Sequence, residues 1–164
     1  FGEDTNGIMT PLSPDLQSAI PGEGSAFFLL SRDKGDPSRY GSIVDVNIGN
    51  FADKDISFPS DVVFFLGADG HKRCDRLYGG FMSPGTEAAC YSPLYGSLPI
   101  GPAFDMAIAA LSIKENKIFA SPKSVEEQRP FKIIKEDSLI ASKSICCLKL
   151  GREREFGMIT LSPT

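Results

Sequence analysis

Gly22-Glu23-Gly24-Ser25-Ala26-Phe27-Phe28-Leu29-Leu30-Ser31-Arg32-Asp33 and, after a short polar joint, Tyr40-Gly41-Ser42-Ile43-Val44-Asp45-Val46-Asn47-Ile48-Gly49 decide how this chain folds. The first piece carries an unbroken apolar run, Ala26 to Leu30, bounded by turn residues, which suits a strand buried on both faces. The second alternates: Ile43, Val44, Val46 and Ile48 are interleaved with Asp45 and Asn47, as in a strand with one polar side. Between them, Lys34-Gly35-Asp36-Pro37 has turn chemistry, because glycine tolerates positive φ and proline fixes its own. The pattern predicts a hairpin in the middle of a sheet.

Upstream, Pro11, Pro14 and Pro21 rule out a long helix and leave room for a short one over Asp15 to Ala19, with Pro14 in its first turn. Downstream, Asp61 to Gly70 reads as a buried strand running into a turn, and residues 71–78 as a helix capped by Asp69. A buried strand followed at once by a helix is the unit of a parallel or mixed α/β sheet. Functional groups in such sheets collect at the carboxyl ends of the strands. The clearest helix follows residues 84–99. Ile100, Ala103, Phe104, Ala107, Ile108 and Leu111 recur at helical spacing, which predicts the face turned to the core. Short strands are expected at Lys117–Ala120 and Phe131–Ile134. Two longer ones, Ser144–Leu150 and Phe156–Leu161, flank a charged turn.

With 164 residues, 41% of them hydrophobic, the chain can bury one real core. A net charge of −4 speaks against a nucleic-acid surface, and no apolar run approaches membrane-spanning length. The opening Phe1-Gly2-Glu3-Asp4-Thr5-Asn6-Gly7 shows neither the basic nor the apolar region of a secretory signal, and it lacks a starting Met. Processing, or membership of a longer polypeptide, is the expectation. Cys74, Cys90, Cys146 and Cys147 form no C-x-x-C pair, and one histidine is too few for the usual zinc patterns, so no metal or cofactor is expected. A reducing, cytoplasmic setting is the plain reading.

Gly22-Glu23-Gly24-Ser25-Ala26, with the apolar run behind it and Tyr40-Gly41-Ser42-Ile43 after it, resembles a segment of the β-ketoacyl synthases usually written G-E-G-A-G, followed by Y-A-x-I-x-G. Thr10-Pro11-Leu12 resembles a phrase those enzymes often carry just upstream. The resemblance implies an α/β, thiolase-like mixed sheet flanked by helices. Residues 1–49 would end the N-terminal half of such an enzyme, and residues 50–164 would form its C-terminal half. It also implies a setting in fatty-acid or polyketide elongation, with a ketosynthase subunit or the missing N-terminal half and an acyl carrier protein as partners, and a dimeric assembly.

Condensing enzymes of this family use a cysteine nucleophile, two histidines and a lysine; the histidines stabilise the enolate and oxyanion of a decarboxylative condensation. On the family's A-H-G-T phrase, the register of the strand places Asp69 where the first histidine belongs. On K-S-x-x-G-H, Ser92 stands for the lysine and Ser97 for the second histidine, with Gly96 retained. Of the last phrase, N-S-F-G-F-G-G, only Phe156-Gly157 remains. The nucleophile belongs upstream of Gly22, and none of the four cysteines stands in its place. An aspartate cannot do the histidine's work, because an anion beside a developing oxyanion raises its energy.

These departures imply a ketosynthase-like subunit or fragment without its own complete site, similar to a chain-length factor and inactive alone. Two alternatives stay open. One is the C-terminal part of an active 3-oxoacyl carrier-protein synthase. The other is a stand-alone acyl- or protein-binding module. His71 is either a displaced catalytic histidine or a solvated residue in the first turn of a helix. Ser97 is either a pocket hydroxyl or a helix cap. Cys74 is expected as a small buried hydrophobe, and the Asp53/Asp55 and Glu126/Glu127 pairs as solvated charges.

Overall fold

Val62-Val63-Phe64-Phe65-Leu66 has no polar position to offer solvent, and it lies in the interior of the sheet with four of its five residues buried. The computed structural model describes residues 7–13, 15–32, 40–52, 57–125 and 130–163. The turn at Lys34–Pro37 and the two acidic pairs fall outside the described residues. In chain order the elements are β1 (Ser42–Asn50), β2 (Val62–Leu66), α1 (Lys72–Phe81), β3 (Glu87–Ala89), α2 (Gly101–Lys114), β4 (Lys117–Ile118), β5 (Lys132–Ile133), β6 (Ser138–Leu139), β7 (Ser144–Leu150) and β8 (Glu155–Ser162). Six strands make one mixed sheet in the order β1-β8-β7-β2-β3-β5; β4 and β6 pair separately. From β5 to β7 the pairing is parallel, and β8 and then β1 are added antiparallel.

The two helices cover opposite faces. Phe64, Leu66, Cys146 and Leu148 pack with Tyr78 and Met82 on the α1 side. Val63, Phe65, Ile145 and Cys147 pack with Ala109 of α2 on the other. Adjacent Cys146 and Cys147 thus point to opposite cores, as strand geometry requires.

The predicted central hairpin is only half built. β1 forms, but residues 22–31 form no strand, and Phe27 and Leu29 are 92% and 99% exposed. β1 is an edge strand, with Val46 and Ile48 largely exposed. The physical reason is cover. A run apolar on both faces needs a layer on each side, and the layers described here end before β1's outer edge. A bulge between Ile43 and Asp45, with Val44 as the extra residue, adjusts the pairing of β1 with β8.

α2 also differs from its prediction. Its most buried positions are Gly101, Asp105, Ala109 and Ser112, while Ile100 and Leu111 of the predicted core stripe stay 43% and 44% exposed. The helix is apolar on both sides, so periodicity alone could not choose the side that meets the sheet. The short helix over Asp15–Ala19 is absent. Ser18 instead donates its backbone N–H to Gly70 O (2.9 Å), and its hydroxyl bonds Thr10, a side-chain competition that favours an extended strap.

That strap seats on Gly70, whose φ is +79° and whose absent Cβ leaves room for Ala19 N and the Ser18 carbonyl carbon at 2.7 Å. Gly70→Ala combines a left-handed penalty with a backbone clash. It is expected to cost about 3 kcal/mol, or ~10 °C of Tm, in a thermal melt. An unchanged Tm would show that the strap is not held as described.

Candidate functional site

The carboxyl ends of β2, β3 and β7 converge on Asp69. The chain leaves β2 at Leu66 and runs through Gly67-Ala68-Asp69-Gly70, with Gly67 N–H still bonded to Leu148 O at 2.8 Å. From β3 it passes through Cys90 and a 3-10 turn, Ser92–Leu94, to Gly96 and Ser97. Gly96, at φ +80° and against Gly22, turns the chain so that Ser97 reaches back. Ser97 Oγ lies 3.1 Å from Asp69 Oδ2 and donates to it. Sequence reasoning picked both residues, and the fold brings them together.

A third group completes the cluster, and sequence reasoning missed it. Lys149, near the end of β7, donates from Nζ to Asp69 Oδ2 at 2.9 Å and to Gly67 O at 2.6 Å. The signal was a lone lysine in Ser144-Ile145-Cys146-Cys147-Leu148-Lys149-Leu150, a strand otherwise nearly all buried. Burial alone would raise the Asp69 carboxyl. The Lys149 ammonium, by charge and hydrogen bond, outweighs it and holds the group below its ordinary range. Asp69 Oδ1 is buried with no hydrogen-bond partner among the described residues.

Ser92 lies close by, but its hydroxyl is spent on Ala68 O and sits 3.4 Å from Cys90 Sγ. His71 occupies the N-cap position of α1, which corrects the assignment of Asp69 as cap, and its own side chain makes no cap hydrogen bond. Instead Asp75, buried in the first turn of α1, accepts the N–H groups of Asp69 (3.3 Å) and Gly70 (3.0 Å), and also that of Leu12 (2.8 Å). The Gln17 side chain accepts from Lys72 N–H through Oε1 and therefore turns Nε2 toward His71 Nδ1 at 3.1 Å. An Arg152 guanidinium nitrogen lies 3.0 Å from both ring nitrogens. Burial lowers the His71 pKa, Asp69 opposes that shift, and Arg152 and Lys149 add to it. Ser97 caps no helix, since α2 begins at Gly101 with Ile100 before it.

The turn carrying Ser92 and Ser97 is pinned to α2. Tyr95 OH donates to Asp105 at 2.7 Å, and its ring stacks on Phe104. Burial pushes the Asp105 carboxyl up to about 6, against the lowering effect of the Tyr95 bond. All four cysteines are free and buried. Burial pushes Cys90 and Cys146 up to about 12 and raises Cys74 and Cys147, so each is a neutral thiol rather than a nucleophile. No cluster of three His, Cys, Asp or Glu groups able to hold a metal occurs among the described residues.

The arrangement is an ionised carboxylate neutralised by the Lys149 ammonium and hydrogen-bonded by the Ser97 hydroxyl.

Solved structures share this framework. The ishigamide ketosynthase/chain length factor superposes with a TM-score of 0.71 at 10% identity, over 99% of this chain and 49% of that one. The fold is ketosynthase-like. The ketosynthase from module 1 of the bacillaene synthase of Bacillus amyloliquefaciens gives 0.65 at 12% identity, over 98% and 39% of the two chains. A type II polyketide-synthase ketosynthase bound to the hexaketide, in complex with its acyl-carrier protein, gives 0.56 at 10%, over 76% and 39%. The chain therefore spans half or less of these ketosynthase chains. No family model and no curated protein matches it. No helix among the described residues is long and apolar enough to cross a membrane.

Proposed function

We propose that this chain is a ketosynthase-like subunit of fatty-acid or polyketide elongation that lacks a complete condensing site. It acts as a chain-length-factor-like partner of an active β-ketoacyl synthase that works with an acyl carrier protein. On this reading residues 1–49 correspond to the end of an N-terminal ketosynthase half and residues 50–164 to a C-terminal half, in a cytoplasmic, dimeric assembly. The observation that carries it is the Lys149–Asp69–Ser97 cluster. An ion pair stands at the strand ends where the resemblance calls for a histidine, and the lysine that neutralises it comes from β7 rather than from the turn holding Ser92. A carboxylate held ionised opposes the oxyanion that a condensation must stabilise.

The alternative of an active synthase would need His71 as a displaced acid. Its ring already contacts Gln17 and Arg152, and its pKa is lowered, which supports a packing role.

The test is a condensation assay. The purified chain, given acyl- and malonyl-carrier protein, is expected to release no carbon dioxide and form no ketoacyl product. Added to a ketosynthase of its own genome, it is expected to change the length distribution of the products. Turnover by the chain alone would refute the reading.

A further inference from the structure

At the end of the sheet away from Asp69, the amino ends of the parallel strands frame a cavity that the strand-end cluster does not explain. It holds about 730 Å³, within the roughly 300–1,000 Å³ of small-molecule sites. Val62, Glu87 and Lys132, the first residues of β2, β3 and β5, all line it. One side is aromatic. Phe64 and Met82 are buried at 4% and 5% exposure, and the partly buried Phe58 and Phe81 pack on the same core. Phe58 meets the Phe64 ring edge-on, with centroids 5.6 Å apart and planes at 80°. The wall that follows α1 is fixed by backbone bonds. Thr86 N–H donates to Ser83 O and Gly85 N–H to Pro130 O, each at 3.2 Å, with Gly85 at φ +84°.

The opposite side is charged. Lys143 Nζ donates to Glu87 Oε2 at 2.9 Å; that bond raises the Lys143 pKa, and Asp61 adds to the effect. Both rim carboxylates therefore act on Lys143. Lys132 lines the same rim and forms no salt bridge among the described residues. We propose that this cavity binds a small aromatic carboxylate, its ring against Phe58, Phe64 and Phe81 and its carboxylate on Lys132. Edge-to-face contact with phenyl rings favours a ring over an alkyl chain, and an ammonium gives the carboxylate a charge-assisted hydrogen bond. The rim also selects by charge. A dianion would meet Asp61 and Glu87, and a lone cation would meet two lysines.

Calorimetric titration of the full chain with 3-phenylpropionate tests this, with backbone amide NMR shifts to locate the ligand. Saturable binding with a Kd below about 1 mM is expected, with shifts concentrated at residues 60–64, 82–87 and 132. The amide 3-phenylpropionamide keeps the ring without the charge and should bind about tenfold more weakly. Octanoate keeps the charge without the ring and should bind about threefold more weakly. Lys132→Met should lower the affinity about tenfold with the Tm unchanged, since Lys132 is exposed. Phe58→Ala should weaken binding by a similar factor, and Arg73→Glu, an exposed change on α1, should leave it as it is. No saturation up to about 10 mM would overturn the inference, as would an affinity indifferent to Lys132→Met. So would shifts at Phe27–Leu30 or around Asp69 in place of the cavity, or equal binding of the amide or of octanoate. The inference does not rest on the ketosynthase partnership. A chain that alters product length without binding 3-phenylpropionate would end this site and leave the proposed function standing.

Discussion

Lys149→Met is expected to destabilise the chain by about 2–3 kcal/mol near neutral pH, read from urea denaturation. The substitution keeps the aliphatic stem but leaves Asp69 buried without its cation, and stranding one partner of a buried pair is the costly way to break it. The figure sits below the fully buried range because the side chains retain 26% and 13% exposure. The pH dependence gives a second readout. Asp69 is held below its ordinary pKa, so its contribution is present above about pH 4 and fades as pH falls through the folded value. Without Lys149, burial dominates and the carboxyl rises; the variant's deficit should be largest at neutral pH and shrink as pH falls toward and below about pH 4, where the carboxyl takes up its proton. Adding Asp69→Asn to Lys149→Met should recover most of the loss. A deficit independent of pH, or no recovery in the double variant, would mean that Lys149 matters for packing and not as a counter-ion.

Lys149 also shows where sequence reasoning ran out. Ser144–Leu150 was legible to the residue because a strand buried on both faces has one signature, an apolar run ended by Gly151. The same signature at Ala26–Leu30 misled, since it reports a need for cover and not whether cover is present. Six regularly spaced apolar residues in α2 located the helix, but Ala109 and Ser112 on its other side were small enough to meet the sheet closely, and spacing cannot weigh two apolar sides against each other. Asp69 and Ser97 were found by register against the family's phrases. Lys149 has no motif; it reaches Asp69 across 80 residues, through the parallel pairing of β2 with β7, which only the fold reveals. The strap over Gly70 was likewise hidden, because its anchor, Asp75, belongs to no motif and meets Leu12 across 63 residues.

Asp75 should make the stability of the chain fall as pH rises, the reverse of an ordinary carboxylate. It is 1% exposed and forms no salt bridge among the described residues, although Lys149 acts on it at longer range. Burial pushes its pKa up to about 7, with the bonds from Leu12 and Gly70 pulling the other way. A folded pKa above the unfolded value means the native state holds the proton more tightly. That extra stability is complete below about pH 4, declines between about pH 4 and 7, and is gone above, an effect of up to ~4 kcal/mol. His71, whose folded pKa is lowered, gives a slope of the opposite sign, and Asp105 one of the same sign; both are common to wild type and variant and cancel in the difference. Asp75→Asn is therefore expected to lose little near pH 8, where its neutral amide avoids burying a charge, and to lose more toward about pH 5, where the wild type carries its proton. Asp75→Ala should be worse at every pH, by about 3 kcal/mol, because the N–H groups of Leu12, Asp69 and Gly70 lose their acceptor. Leu12 sits at φ +65°, a left-handed conformation that a leucine holds only when its surroundings impose it, so the alanine variant should also free the strap and raise hydrogen exchange at Leu12 and Ser18. Parallel stability curves for wild type and Asp75→Asn between about pH 5 and 8 would show that Asp75 does not titrate there, and the strap would then rest on neutral hydrogen bonds alone.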